Sequence, residues 1–224
     1  MPTLKGGYRL KDNTRVPSVT TVLSRFKESG GLIHWAWNMG IEGKDYREER
    51  DAAASAGTIA HELMEQRIRG KRENVPTVKD VRVLFQCDEE TATRAISSYE
   101  AFLEWAEQSQ LKITDTELPL ISEKHKYGGT FDAILVKGKR SMGDWKTSNG
   151  IYPEYLCQVA AYAILWDEHF PEKPIEGGFH LLRFDKTYGD FHHHYWAELE
   201  TAKAAFLKMR SLYEDFKELK ARAK

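Results

Sequence analysis

Gly128-Gly129-Thr130-Phe131-Asp132-Ala133-Ile134-Leu135-Val136 is followed, after six further residues, by Gly143-Asp144-Trp145-Lys146-Thr147. The first stretch reads as a strand from 128 to 136 and the second closes a strand from 140 to 146, with Lys137-Gly138-Lys139 as the turn between them. Asp132 interrupts a mostly apolar strand, and an unpaired charge there would be heavily penalised. Asp144 and Lys146 are two residues apart and share one face of their strand. A two-residue turn at Gly138-Lys139 would set Asp132 opposite Trp145, with its side chain on the wrong face. A three-residue loop with Gly138 in the left-handed region sets Asp132 opposite Asp144 instead. The second register is the expectation, because it brings two carboxylates and an ammonium together.

Working outward, residues 115–121 read as a strand before this hairpin. Pro153 opens a helix from about 153 to 168, a position where its missing N–H costs nothing. Residues 177–184 and 190–197 read as a second hairpin around Lys186-Thr187-Tyr188-Gly189-Asp190. An amphipathic helix from about 199 to 222 carries Leu199, Ala204, Leu207, Leu212, Phe216 and Leu219. Upstream the period is helical. Ser18 caps a short helix that Gly30-Gly31 ends, a second stretch carries Trp35, Trp37 and Ile41, and long helices follow at about 45–69 and 88–109. Gly70 stands where a C-cap belongs. A helical part to about residue 110, then β-β-β-α-β-β-α from about 111, predicts one α/β (α+β) domain over residues 1–224 with a small mixed sheet.

Composition narrows the setting without naming a function. Met1-Pro2-Thr3-Leu4-Lys5 has no apolar signal segment, and no apolar run is long enough to span a bilayer. Cys87 and Cys157 match no zinc spacing and read as reduced thiols. A cytoplasmic protein without a membrane partner is expected. The formal net charge is -1, so a nucleic-acid partner would have to be held by a local basic patch. The candidates are Arg67, Arg69, Lys71 and Arg72; Lys124 and Lys126; and Lys137, Lys139 and Arg140. Each also fits an ordinary solvated face.

Several further residues gain weight only together. Gln158 and Tyr162 are four apart and share a helix face; core packing accounts for them equally well. His61, in Gly57-Thr58-Ile59-Ala60-His61, is a lone helical histidine, and Glu117 lies in the strand before Asp132. Asp-x-Lys alone would read as a salt bridge at a strand end. His192-His193-His194 alternate across a strand, so at most His192 and His194 could share a metal; an exposed strand explains them as well. Trp35, Trp37 and Tyr46 offer stacking surfaces for single-stranded bases or core packing.

In order, His61, Gly129 with Asp132, Asp144 with Lys146, and Gln158 with Tyr162 resemble the motifs of RecB-like nucleases of the PD-(D/E)xK superfamily. The pattern is similar to that of mitochondrial genome-maintenance exonuclease and related phage exonucleases. Pro17-Ser18-Val19-Thr20, the Trp35–Trp37 helix and Gly57 fit the same scheme, so the likeness spans roughly residues 17–165. The resemblance implies a restriction-endonuclease-like core with a helical N-terminal elaboration. It also implies a Mg²⁺- or Mn²⁺-dependent deoxyribonuclease, an exonuclease on single-stranded DNA or DNA ends, in repair or recombination. Asp132, Asp144, the Trp145 carbonyl, His61 and Glu117 are then the metal-binding candidates, with Lys146, Gln158 and Tyr162 the other catalytic ones. A replication or recombination protein is the class of protein partner implied. Some relatives bind an iron–sulfur cluster through four cysteines; two cysteines cannot supply it, so none is expected. Two rivals stand beside this reading: a catalytically silent nucleic-acid-binding module, and a hydrolase of small phosphoesters. No Gly-x-x-x-x-Gly-Lys-Ser/Thr loop points to ATP-driven chemistry.

Overall fold

The computed structural model describes residues 6–148, 150–184 and 191–223. The chain begins with a two-residue hairpin, β1 (Tyr8–Arg9) and β2 (Arg15–Val16), too short to show a period in the sequence. Helix α1 (Val19–Leu23) follows, with the Ser18 side chain accepting from the Thr21 N–H as N-cap. Gly30-Gly31 does not end a helix, as the sequence suggested, but opens α2 (Gly30–Ile41). Next come α3 (Tyr46–Ile68), α4 (Val78–Phe85) and α5 (Glu89–Ser109). Helix α4 went unread in the sequence although Thr77 and Asp80 close a capping box at its start; at eight residues its apolar period is brief.

Strands β3 (Lys112–Ser122), β4 (Tyr127–Lys137) and β5 (Lys139–Thr147) lead into α6 (Pro153–His169), then β6 (Phe179–Phe184), β7 (Phe191–Trp196) and α7 (Glu200–Arg222). Among the described residues these five strands form one mixed sheet in the order β3-β4-β5-β6-β7, flanked by helices. Of the four strand pairs in this order, β5–β6 is parallel, with α6 as its crossover, and the other three are antiparallel. Residues 185–190, including the turn read in the sequence, lie outside the described residues.

Two apolar clusters lie on the two sides of the sheet. Helices α1, α6 and α7 supply one, with Phe131, Ile134, Met142 and Phe179 from the strands. Helices α3, α4 and α5 supply the other, with Ala133, Leu135, Trp145, Leu182 and Phe184. The apolar residues of α7 do not act as the single face expected of them. Phe206 is buried against α6 and α1, whereas Leu212, Phe216 and Leu219 are exposed beyond the body. Helix α2 buries none of its residues, and Leu32, Ile33, Trp37 and Ile41 stand in solvent.

Candidate active site

The β4–β5 hairpin turns through Lys137-Gly138-Lys139 with Gly138 at φ +77°, a conformation that costs glycine little. Its pairs run from Lys137↔Lys139 to Ala133↔Gly143. The same register carried one step further sets Asp132 level with Asp144. There the Trp145 N–H donates to Asp132 Oδ2 at 2.7 Å instead of to a strand carbonyl. On the other side of β4, Glu117 falls between the pairs Thr116↔Ala133 and Leu118↔Phe131, again level with Asp132. Three acids from three neighbouring strands therefore stand in one row. Glu117 reaches this place with φ at +50°, a strained value for a residue with a side chain.

Helices approach this row from both sides of the sheet. Helix α3 crosses the end of β5 at Gly57, where an added Cβ would run into the Thr147 side chain. One turn on, it carries His61 to the site. Helix α6 brings Gln158 and Tyr162 from the opposite side; Gln158 Nε2 donates to the Tyr162 hydroxyl at 2.9 Å. Gly129 makes room for them, since a Cβ there would lie 2.6 Å from Tyr162 Cε1. Lys146 Nζ is 2.5 Å from Asp144 Oδ2 and 5.3 Å from the centre of the Tyr155 ring. An open cavity of about 380 Å³ is lined by His61, Gly129, Trp145, Lys146, Gln158 and Tyr162 among others.

The electrostatics are those of a desolvated, like-charged cluster. Asp132 is 1% and Asp144 0% exposed. Burial raises both carboxyls, Asp144 to about 7, against the opposing pull of Lys146. Glu117 is pushed up to about 8 by burial and then by the charge of Asp132. His61 is lowered to about 4 by burial and by the Lys146 ammonium, with Asp144 and the Trp145 backbone pulling the other way. Burial works against the Lys146 charge too, but Asp144 and Asp132 outweigh it and its pKa is raised.

Buried polar atoms without a hydrogen-bond partner collect here: His61 Nδ1, Glu117 Oε2, Asp132 Oδ1 and Asp144 Oδ1. Each belongs to a residue singled out in the sequence as a metal ligand. Such atoms cost roughly 1–3 kcal/mol each if left unsatisfied, so a cation bound among them would remove several penalties at once. Among the described residues, no three His, Cys, Asp or Glu side chains close around one point as a ready-made cage. The donor chemistry, oxygen with one imidazole, fits a hard divalent ion held by two carboxylates and a backbone carbonyl in an open sphere.

Other sequence candidates are placed elsewhere. Arg69 pairs with Glu65, Arg67 donates to the Glu73 carbonyl, and Arg72 donates to Gln66. Lys137 reaches the Ser109 carbonyl and Arg140 lies over Trp166. Trp35 packs edge-on against Tyr46, while Trp37 is exposed. His192 and His194 share a face of β7, their rings stacked at 6.2 Å, away from the cavity. His193 instead accepts from Trp105 Nε1 at 3.4 Å and meets His180 Nδ1 at 2.8 Å.

Sequence reasoning missed Tyr8, Thr130 and Tyr155. The Tyr8 hydroxyl and Thr130 Oγ1 are hydrogen-bonded at 2.8 Å on the cavity wall, and Gly128 leaves room for the Tyr8 ring. Tyr155 stands seven residues before Tyr162 on α6 and could have been found by following that helix face back by two turns.

No family model matches the chain, and no curated protein matches it. Among solved structures it is similar to an alkaline exonuclease, LHK-Exo, from Laribacter hongkongensis, at 16% identity and a TM-score of 0.34, covering 56% of this chain and 71% of that one. LHK-Exo in complex with dAMP is similar at 15% identity and a TM-score of 0.35, covering 77% and 93% of the two chains.

Proposed function

We propose that the chain is a metal-dependent deoxyribonuclease of the PD-(D/E)xK type, acting as an exonuclease on single-stranded DNA or DNA ends. Residues 1–224 are read as one nuclease domain working in DNA repair or recombination. The observation that carries the reading is the row of Glu117, Asp132 and Asp144 across three strands, with buried carboxylate oxygens lacking hydrogen-bond partners, next to a cavity lined by His61, Trp145 and Lys146.

Asp132, Asp144 and the Trp145 carbonyl would hold a Mg²⁺ or Mn²⁺ ion, with His61 and Glu117 adjoining. Such an ion, when bound, polarises a phosphoryl oxygen and acidifies water. The protein's own groups do the rest. Asp132 is fixed by the Trp145 N–H, so one carboxylate oxygen is locked and the other is directed to the site. Lys146, raised toward its charged form by the two aspartates, orients the attacking water and offsets charge growing on the phosphoryl oxygens. Gln158 and Tyr162, tied to each other, position the substrate backbone. The burial of Asp144 strengthens these interactions.

The test is cleavage of end-labelled single- and double-stranded DNA with Mg²⁺, Mn²⁺ or EDTA, beside Lys146→Ala. Products shortening from one end with metal, and a loss on the order of a hundredfold or more in the variant, are expected. Retained DNA binding without cleavage under any metal would replace this reading with a silent binding module. Cleavage of small phosphoesters but not of DNA would favour the other rival.

A further inference from the structure

Helix α7 carries an apolar seam whose C-terminal part, from Leu212 on, is exposed among the described residues. Ala205, Met209, Leu212, Phe216, Leu219 and Ala223 follow one another at intervals of 4, 3, 4, 3 and 4 residues. That is the a/d spacing of a two-stranded helix pair. Ala205 and Met209 lie partly against the body, but Leu212, Phe216 and Leu219 are 42%, 53% and 58% exposed. At about 100° per residue, the seam is turned roughly a quarter turn from Phe206 and Tyr213, the side that packs on the body. A partner helix can therefore reach the seam without displacing α6.

We propose that this seam pairs with the same seam of a second copy of the chain, the two α7 helices lying parallel and in register. The charges beside the seam are complementary between two copies in a parallel pair. Leu212 and Leu219 occupy d positions, where two-stranded coiled coils place leucine. Asp215 falls at g and Lys220 at the following e, so a parallel pair sets Asp215 of each copy against Lys220 of the other. In the antiparallel register that layers Phe216 on Leu212, Asp215 would instead meet Asp215, and Lys208 would meet Arg222. Arg210, Glu214 and Lys217 pair along the helix, as do Glu218 and Arg222, and among the described residues no ion pair engages Asp215 or Lys220.

Energetics favour a reversible dimer. From Met209 to Leu219 the seam is about 15 Å long, shorter than free peptides need to pair. Here the helix is already formed, because its N-terminal half is packed on α6, so association is spared the nucleation cost. The quarter-turn offset points the two bodies to opposite sides of the pair. The proposal is independent of the nuclease reading, because no seam residue lines the cavity.

Sedimentation of the full chain over a rising concentration series tests it. The mass should approach twice that of one chain, and Phe216→Glu should hold it at one. Asp215→Lys and Lys220→Asp should each weaken association about tenfold, and the double exchange should restore it. Circular dichroism unchanged in each variant keeps misfolding from mimicking the effect. A single-chain mass at every concentration would overturn the proposal. So would a dimer indifferent to Phe216→Glu, or a double exchange that fails to restore pairing.

Discussion

His193 accepts from Trp105, which can only donate, so neutral His193 carries its proton on Nε2 and donates to His180 Nδ1. Both rings must be uncharged for this chain to hold. His180 is lowered to about 4 by burial first and then by His193, and His193 is lowered by burial and by His194. Because the folded values lie below the unfolded value of about 6.5, the pair contributes stability above that pH. The contribution is lost as pH falls toward 4. Thermal unfolding followed from pH 7.5 to 4.5 should therefore show a drop that His180→Phe makes smaller by several degrees. Parallel curves for the two proteins would mean the pair is not buried neutral. This pairing was not legible in the sequence. Alternation separated His193 from its neighbours, but its partner His180 comes from another strand.

At the scale of elements, Gly57 shows how a helix is admitted to the site. Glycine within a helix ordinarily costs about 1 kcal/mol relative to alanine, yet at this crossing an added Cβ would run into Thr147, a β-branched side chain with little freedom to yield. Gly57→Ala should destabilise the protein by about 1–3 kcal/mol, and Thr147→Ala in the same chain should recover most of the loss. Melting curves of the three variants decide the matter; a stabilised single variant would show that α3 can slide. The hairpin beneath this crossing was readable because its register hangs on one local feature, Gly138 between two lysines. The long helices were readable by period. What escaped were elements too short to show a period, β1, β2 and α4, and the parallel β5–β6 pairing, which depends on how α6 crosses the sheet. Tyr155 lay on a readable helix face, but its approach to Lys146 exists only once α6 lies over β5.

For the molecule as a whole, the sheet separates two apolar clusters, and the buried acids stand where helices from both sides meet. A cation bound there would tie β4, β5 and α3 together, so binding should register as global stability. Mn²⁺ or Mg²⁺ at about a hundred times its dissociation constant should add roughly 2.7 kcal/mol, a rise of roughly 5–10 °C in melting temperature for a chain of this size. Asp132→Asn should remove most of that rise. An unchanged melting curve with either metal would count against a cation at this site, whatever the outcome with DNA.

The left-handed backbone at Glu117 carries one more consequence. A glycine or asparagine would occupy that conformation with less strain, by about 1 kcal/mol or more, and would remove a half-buried acid that resists ionisation. Glu117→Gly should therefore melt higher than the parent protein in EDTA. Selection of this chain for heat resistance alone would then be drawn to position 117, and would harvest sturdier proteins with one acid fewer beside Asp132. On the nuclease reading, the strained residue is where durability and chemistry would compete, and heat-selected libraries would make that exchange visible.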